Sequence, residues 1–322
     1  MAEPVKQITS SLSLWDRWNN FLVRASFNRN DYKVEPGVYA LNKPTPDSPV
    51  MVSANYKLSF DVLRQALTGI SAWILVLDTK GINVWCAAGK GTFGTEELLN
   101  RIELTNLKDI VKHQRLILPQ LGATGVAAHE VKEKSGFNVT YGPVRADELR
   151  EYLKAGLRAT PKMREVEFTF KDRLLLVPVE VVQGFRYFAA AAVLFVLAGY
   201  FLAAEPLMLV FNLFTAYFAG AVLGPLLLPW LPGRAFAIKG FFAGLLGFGL
   251  LYSFGLGGSS LLAQLAWSLI ITSFASFLTM NFTGASTYTS PSGVMKEMRL
   301  AIPLQILGLV SGTIIWVITK LI

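Results

Sequence analysis

Hydrophobic and polar positions alternate in two different ways along this chain. Through the first 184 residues, apolar residues come in short runs broken by polar turns; from Phe185 onward they come in stretches long enough to cross a bilayer. In the first part, 49–53, 72–78, 116–118 and 137–141 read as strands. The strongest is Ala72-Trp73-Ile74-Leu75-Val76-Leu77-Asp78, a branched and aromatic run closed by turn residues, as expected of a strand buried on both faces. Helical spacing predicts helices over 58–67, 95–102, 126–134 and 147–157, with Thr95 as a cap and Glu96 and Glu97 in the following turn. Strands alternating with helices predict an α/β domain over residues 1–165, a Rossmann-like doubly wound parallel sheet.

Three further segments complete this half. Residues 13–27 carry Leu14, Trp15, Trp18, Phe21, Leu22 and Ala25 at helical spacing, which suits packing either on the domain or on a membrane surface. Residues 42–49, Asn-Lys-Pro-Thr-Pro-Asp-Ser-Pro, are a loop by their prolines. The alternation between Glu165 and Val179 predicts a hairpin, so 166–184 are assigned to a β-hairpin and linker.

From residue 185 the pattern predicts an all-α transmembrane domain of five helices, 185–204, 207–228, 241–256, 261–280 and 302–318, the third short unless it begins near Phe236. Only seven charged residues follow Tyr187, namely Glu205, Arg234, Lys239, Lys296, Glu297, Arg299 and Lys320. Lys171, Arg173, Arg186, Arg234, Lys239, Lys296 and Arg299 fall on one side of the predicted spans. The positive-inside rule therefore puts the soluble domain in the cytoplasm and the C-terminus outside an inner, multi-pass membrane. Gly240, Gly244, Gly247 and Gly249 permit close helix packing. The polar run from Asn281 to Gly293 is long for a connector and is a candidate to face the soluble domain. No intramembrane charge pair suggests a transport path, so these helices read as anchor and docking surface.

Topology also accounts for the formal net charge of +8. No basic stripe with interleaved aromatics accompanies it, so nucleic acid is not an expected partner. The opening residues Met1-Ala2-Glu3-Pro4 lead into a polar segment without the apolar core of a secretory signal. The single cysteine excludes an intrachain disulfide and a multi-cysteine zinc site, and fits a reducing compartment.

That cysteine, Cys86, lies in the segment directly after the strongest strand, at the carboxyl end of the predicted sheet, where open α/β folds bind ligands. A small buried hydrophobe is the simplest use of such a residue. A Cys–His nucleophile would need His113 or His129, and neither has a context that points to Cys86. The run Gly89-Lys90-Gly91-Thr92 is not a Walker loop: Val84 stands where the first glycine is required, and Gly91 where Ser or Thr is required.

Asn83-Val84-Trp85-Cys86-Ala87-Ala88-Gly89-Lys90 resembles the cap-helix motif of the HgcA family of mercury-methylating corrinoid proteins, relatives of the corrinoid iron–sulfur protein of the acetyl-CoA pathway. The resemblance extends through Pro49–Lys57 and Leu118–Val126. That family also joins a corrinoid domain to a membrane domain, so the likeness covers nearly the whole chain. It implies a membrane-anchored corrinoid-dependent methyltransferase that passes a methyl group, as a carbanion equivalent or radical, to Hg(II). Cys86 would be the lower axial ligand of cobalt in a base-off, Cys-on cobalamin. Asn83, Val84, Trp85, Ala87, Ala88, Gly89 and Lys90 would shape the cap helix around it. Ser53, Asn55 and Ser59, with the turn of Gly122, Ala123 and Gly125, would meet the corrinoid. The implied partners are a dicluster 4Fe–4S ferredoxin that reduces cobalt, a methyl-donor methyltransferase and membrane lipid.

An axial thiolate pushes electron density through a metal toward the group opposite. Neither histidine lies in the Asp-x-His-x-x-Gly context of histidine-ligated corrinoid enzymes. Because Hg(II) prefers thiolates and the one thiol would already be engaged, a cysteine-bearing partner is expected to deliver the metal ion. Two other readings stay open at this point: a corrinoid methyl carrier for another acceptor, and a non-catalytic cobalamin-binding module in which Cys86 is dispensable.

Overall fold

The computed structural model describes residues 5–29, 31–202, 204–285 and 291–322. The chain divides into two compact units, Met1–Val23 with Phe27–Val166, and Arg24–Ser26 with Glu167–Ile322.

The first unit is built on six strands: β1 (Lys6–Ile8), β2 (Gly37–Leu41), β3 (Val50–Ala54), β4 (Ala72–Leu77), β5 (Arg115–Leu118) and β6 (Asn138–Tyr141). Their order is β1-β2-β4-β3-β5-β6. Pairing is parallel except between β2 and β4, so the sheet is mixed rather than wholly parallel. Sequence pattern finds the four parallel strands and misses the two-stranded extension. Lys6-Gln7-Ile8 is too short and polar to signal a strand. Gly37–Leu41 is buried throughout and as long as β3, but it opens on glycine and carries a single β-branched residue. Around the sheet lie α1 (Leu14–Arg24), α2 (Lys57–Ala66), α3 (Val84–Lys90), α4 (Thr95–Leu104), α5 (Leu107–Ile110), α6 (Ala128–Ser135) and α7 (Leu149–Lys154).

Alternate residues of each strand feed two cores, one on each face of the sheet. Val50, Val52, Leu75, Leu77, Leu116 and Leu118 pack with Ala87, Phe93, Leu98 and Val131. Met51, Ile74, Val76 and Ile117 pack with Phe60, Leu149 and Tyr152 on the other face. Both faces of β3 and β4 are covered, which is why these strands read as nearly unbroken apolar runs. Chain direction fixes the location of a crevice. From β3 the chain crosses to β4 on one side, then returns past β3 to form β5 on the other. The carboxyl ends of β3 and β5 are therefore a topological switch point.

Helix α1 is inverted with respect to an ordinary surface helix. Its polar residues face the domain: Asp16 accepts from Lys57 Nζ at 2.6 Å and from an Arg64 guanidinium nitrogen at 2.9 Å. Asn20 donates to Asp61 at 3.1 Å and accepts from the Tyr32 hydroxyl. Asp61, fully buried, also accepts from Lys57 and Arg64, so two carboxylates and two cations close one neutral network. Burial alone would raise the Asp16 pKa, but hydrogen bonds from Lys57, Ser13 and Arg64 outweigh it and hold the carboxyl well below the usual carboxylate range. Its stabilisation is thus complete above the ordinary carboxylate pKa, about 3.9, and is lost as pH falls through the depressed folded value. Asp61→Asn leaves the two cations sharing one carboxylate in a buried setting. It should lower the stability of the first unit by roughly 3 kcal/mol, read as a drop in thermal midpoint in detergent; a midpoint unchanged within error would show that the network contributes nothing.

Four large apolar residues of α1 point away from the domain, while Val23 near its end is buried. Leu14, Trp15, Trp18 and Phe21 are 84, 71, 53 and 55 % exposed. The reading of this helix as one that packs its apolar stripe on the domain core is thereby overturned.

The second unit holds α8 (Phe170–Phe201), α9 (Pro206–Phe218) continued by a π-helical turn (Ala219–Leu223) into α10 (Gly224–Leu226), α11 (Phe236–Ser253), α12 (Leu261–Asn281) and α13 (Pro291–Leu321). Five of its helical segments are long and apolar enough to cross a membrane. The third begins at Phe236. The hairpin expected over 166–184 is absent: α8 starts at Phe170, behind a capping box in which Thr169 and Asp172 bond each other's backbone N–H groups. Alternation there lasts only to Phe170; the unbroken apolar run that follows is helix, with Pro178 accommodated inside it. Glycines let α11 and α13 approach α12: a Cβ on Gly240 would stand 2.7 Å from the Ala275 carbonyl, and one on Gly244 would stand 2.8 Å from Thr272 Cα. Gly249, expected in the same role, faces open space. Part of the polar run 281–293 lies outside the described residues, and its proposed orientation with it.

Candidate functional site

The site grows out of the turn after β4. Asn55, at the end of β3 and buried, organises that turn. Its Oδ1 accepts from the backbone N–H groups of Thr79 and Gly81 at 3.1 and 2.9 Å, and its Nδ2 donates to Asp78 at 3.2 Å. The fully buried Thr79 places its hydroxyl 2.8 Å from Asn55 Oδ1 and 2.7 Å from the Ile82 carbonyl. Lys80 and Gly81 both take positive φ, 58° and 74°, and reverse the chain into α3. The Asp78 N–H donates to Glu97 on α4 at 2.8 Å, tying the turn to a second element. Burial would raise the Asp78 pKa; its bonds and ion pair with Lys80 prevail and lower it.

Helix α3 presents Cys86. Asn83 caps it by accepting from the Cys86 N–H at 2.9 Å, and Gly91, at φ 80°, closes it in the left-handed conformation. The inner side buries Ala87 and Ala88 in the core. Trp85, Cys86, Gly89 and Lys90 are exposed on the outer side. The only thiol of the chain is therefore open to solvent, not a small buried hydrophobe. A side chain added at Gly89 would meet no protein atom within 4 Å, so the surface beside Cys86 is left bare without any packing need for glycine.

The turn 121–125 supports α3 from below. A Cβ on Gly125 would fall 2.1 Å from the Phe93 carbonyl oxygen, and one on Gly122 would fall 2.5 Å from the Phe93 ring. These glycines are required by the chain's own packing against the residues that follow α3. Ala123 is half-buried at the C-cap of the same 3-10 turn. Thr95 does not cap α4, a position held by Gly94; its hydroxyl instead accepts from the Ala127 N–H at 2.8 Å, and its N–H donates to the Gly125 carbonyl.

At the switch point between β3 and β5 lies a crevice of about 100 Å³. Val52, Leu63, Val84, Ile117, Leu118, Pro119, Pro143 and Leu149 make its walls largely apolar, with Ser53 and Ser59 among them. The Ser53 hydroxyl has only a 3.2 Å bond to the adjacent Ala54 carbonyl, and that of Ser59 has no partner among the described residues. The space suits a single small ring; the rest of a larger ligand must lie outside it. A larger apolar groove, about 890 Å³, belongs to the second unit and is lined by α11, α12 and α13.

Of the residues singled out by sequence, then, Ser53, Ser59 and Val84 meet in the crevice. Val84 belongs to the same helix that exposes Trp85, Cys86, Gly89 and Lys90. Asn55, Asn83, Ala87, Ala88, Gly122 and Gly125 bond or pack inward and hold that helix in place. Sequence reading misses Thr79 and Phe93, whose roles depend on contacts 24 and 32 residues away in the chain, Thr79 with Asn55 and Phe93 with Gly125. His113 bonds the Ser48 carbonyl at 2.8 Å before β5, and neither histidine lines the crevice.

Residues 27–153 match the family model of the CO dehydrogenase/acetyl-CoA synthase delta subunit, CdhD. Acetyl-CoA decarbonylase/synthase complex subunit gamma of Archaeoglobus fulgidus is 33 % identical over 128 residues, covering 39 % of this chain and 27 % of that protein. Its counterpart in Methanopyrus kandleri is 34 % identical over 132 residues, covering 40 % and 28 %. The one in Methanocaldococcus jannaschii is 30 % identical over 128 residues, covering 39 % and 26 %. The chain thus spans about a quarter of the length of the curated relatives it matches. The matched segment holds β2 to β6, the crevice and α3, and over that segment the chain is similar to delta and gamma subunits of acetyl-CoA synthase and decarbonylase complexes.

Proposed function

We propose that this chain is a membrane-anchored corrinoid-dependent methyltransferase whose acceptor is Hg(II), and that Cys86 would hold the cobalt of the corrinoid. One observation carries the reading: the sole thiol stands exposed on a helix whose inner residue Val84 lines the switch-point crevice, within the segment similar to acetyl-CoA synthase and decarbonylase subunits. The residues present fit a corrinoid. The bare surface at Gly89 admits a broad flat ligand beside Cys86, and the crevice with its two underused hydroxyls suits the base of a displaced nucleotide tail. When bound, the corrinoid would supply a cobalt–carbon bond whose methyl group can be passed to an acceptor.

The chain's own residues would do the rest. Cys86 would hold the metal through its sulfur and supply it with electron density; Asn83, accepting from the Cys86 N–H, fixes the start of the helix that carries that residue. Ser53 and Ser59 would bind the polar edge of the tail base, and the apolar walls around them would exclude water from it. A dicluster ferredoxin that returns cobalt to its reduced state, a methyl-donor enzyme and delivery of Hg(II) by a cysteine-bearing partner complete the proposal. The five apolar helices anchor the chain in the inner membrane, with the first unit in the cytoplasm and the C-terminus outside. Similarity to decarbonylase/synthase gamma subunits favours one second reading, a methyl carrier for another acceptor. Methylmercury formed by the methylated full chain from a Hg(II)–thiolate donor separates the two.

Gly89 gives the test of corrinoid placement. Gly89→Ala keeps the helix, or strengthens it by up to about 1 kcal/mol, and Gly89→Leu adds bulk where no protein atom stands. The leucine variant should melt like the parent while its corrinoid affinity, titrated by anaerobic absorbance, falls on the order of tenfold or more. Parental affinity in that variant would place the macrocycle elsewhere.

A further inference from the structure

Helix α1 carries an apolar face that the described residues leave uncovered. Leu14, Trp15, Trp18 and Phe21 project from it, and the rings of Trp18 and Phe21 stack with centroids 5.8 Å apart. The helix is nevertheless held firmly. Asp16 and Asn20, on its other side, are fastened to Lys57, Arg64 and Asp61 by bonds of 2.6 to 3.1 Å. A polar network at the inner face thus forces the aromatic face outward. Arg17 on α1 and Arg29, five residues beyond its end, are exposed and bond no acidic side chain among the described residues. At eleven residues, or about 16 Å at the α-helical rise, α1 is too short to span a bilayer.

We propose that α1 is an interfacial anchor, lying flat with Leu14, Trp15, Trp18 and Phe21 in the headgroup–acyl boundary of an anionic bilayer. Three features select lipid over a protein partner. Tryptophan and phenylalanine over an aliphatic residue, flanked by arginine, is the composition of helices that lie in the membrane interface. The free cations complement anionic headgroups. The chain also carries its own membrane: Arg24–Ser26, at and just after the end of α1, group with the unit that holds the five apolar helices, and Gln183 of α8 donates to Ser26 at 3.3 Å. The proposal rests on the membrane-spanning reading of that unit. It gives the first unit a lipid attachment additional to the covalent passage through residues 166–170.

The test uses the full chain in nanodiscs of phosphatidylglycerol and phosphatidylethanolamine, carrying Cys86→Ala and one nitroxide-labelled cysteine at a time. Leu14→Cys and Phe21→Cys probe the face, Glu133→Cys on α6 is an aqueous control, and Leu246→Cys on α11 reports a membrane span. Collision accessibility to oxygen and to a water-soluble nickel chelate should place the labels at 14 and 21 about 5–10 Å below the headgroups, with 133 in water and 246 in the hydrocarbon. Water exposure at 14 and 21, with 246 in hydrocarbon, overturns the anchor alone. Exclusion of both reagents at 14 and 21 means a protein covers the face and also overturns it. Water exposure at 246 removes the membrane-spanning reading beneath it.

Discussion

Cys86→Ala is expected to reduce methyl transfer to Hg(II) by about two orders of magnitude or more, since even partners one shell removed from a metal typically cost 10–100-fold. The thermal midpoint should stay where it is. Cys86 is exposed, its side chain supports no core contact, and its backbone N–H keeps the bond to Asn83 whatever the side chain. Alanine is also a better helix former than cysteine. Loss of activity without loss of fold is the signature of a ligand. Equal loss of both would point to a structural thiol, which the exposure of this residue argues against. Full methyl transfer in the alanine variant would show that the reaction makes no use of the Cys86 sulfur.

An effect on stability as large as that of Asp61→Asn is expected at Asn55. Removing its side chain in Asn55→Ala strands the buried N–H of Gly81, takes one of two acceptors from the Thr79 N–H, which keeps the Leu77 carbonyl, and removes a donor to Asp78. With a buried unmet donor at ~1–3 kcal/mol and each further lost bond at ~0.5–1.5 kcal/mol, the change should cost the first unit about 3 kcal/mol. For a unit of this size that corresponds to a midpoint lower by roughly 6–12 °C. The same variant should weaken corrinoid binding, because the turn Asp78–Gly81 sets the start of α3. Asn55→Asp separates the two effects: its carboxylate can still accept from Thr79 and Gly81 but faces Asp78 as a like charge. It should lie between alanine and the parent in stability. An alanine variant that melts like the parent would show that the turn is held by other contacts.

What the sequence made legible follows from the range of the forces involved. Strands β3, β4 and β5 announce themselves as short, largely buried apolar runs, and one such as Ala72–Leu77 needs no partner to be recognised. The five long apolar helices are equally local signals. By contrast, β1 and β2 are strands through pairing: Lys6 to Ile8 become one only beside Tyr39 to Leu41. The antiparallel pairing of β2 with β4 leaves no mark in either strand. Period-two alternation at 165–170 misled because it is brief and ends on a helix cap, Thr169. In the site, Cys86 and its helix could be singled out in one dimension. The work of Asn55, Thr79 and Phe93 could not, since each acts on a segment more than twenty residues away. The orientation of α1 was ambiguous for a related reason. Its stripe is plain in the sequence, but the side that faces the domain is decided by Lys57, Asp61 and Arg64 on α2.

The central claim is that Cys86 sulfur binds the cobalt of a corrinoid, and the anaerobic absorption spectrum of the full chain loaded with methylcobalamin tests it most directly. The account predicts a base-off spectrum with a cobalt–thiolate feature in the parent, absent from Cys86→Ala at equal corrinoid occupancy. Identical spectra from the two proteins would contradict it.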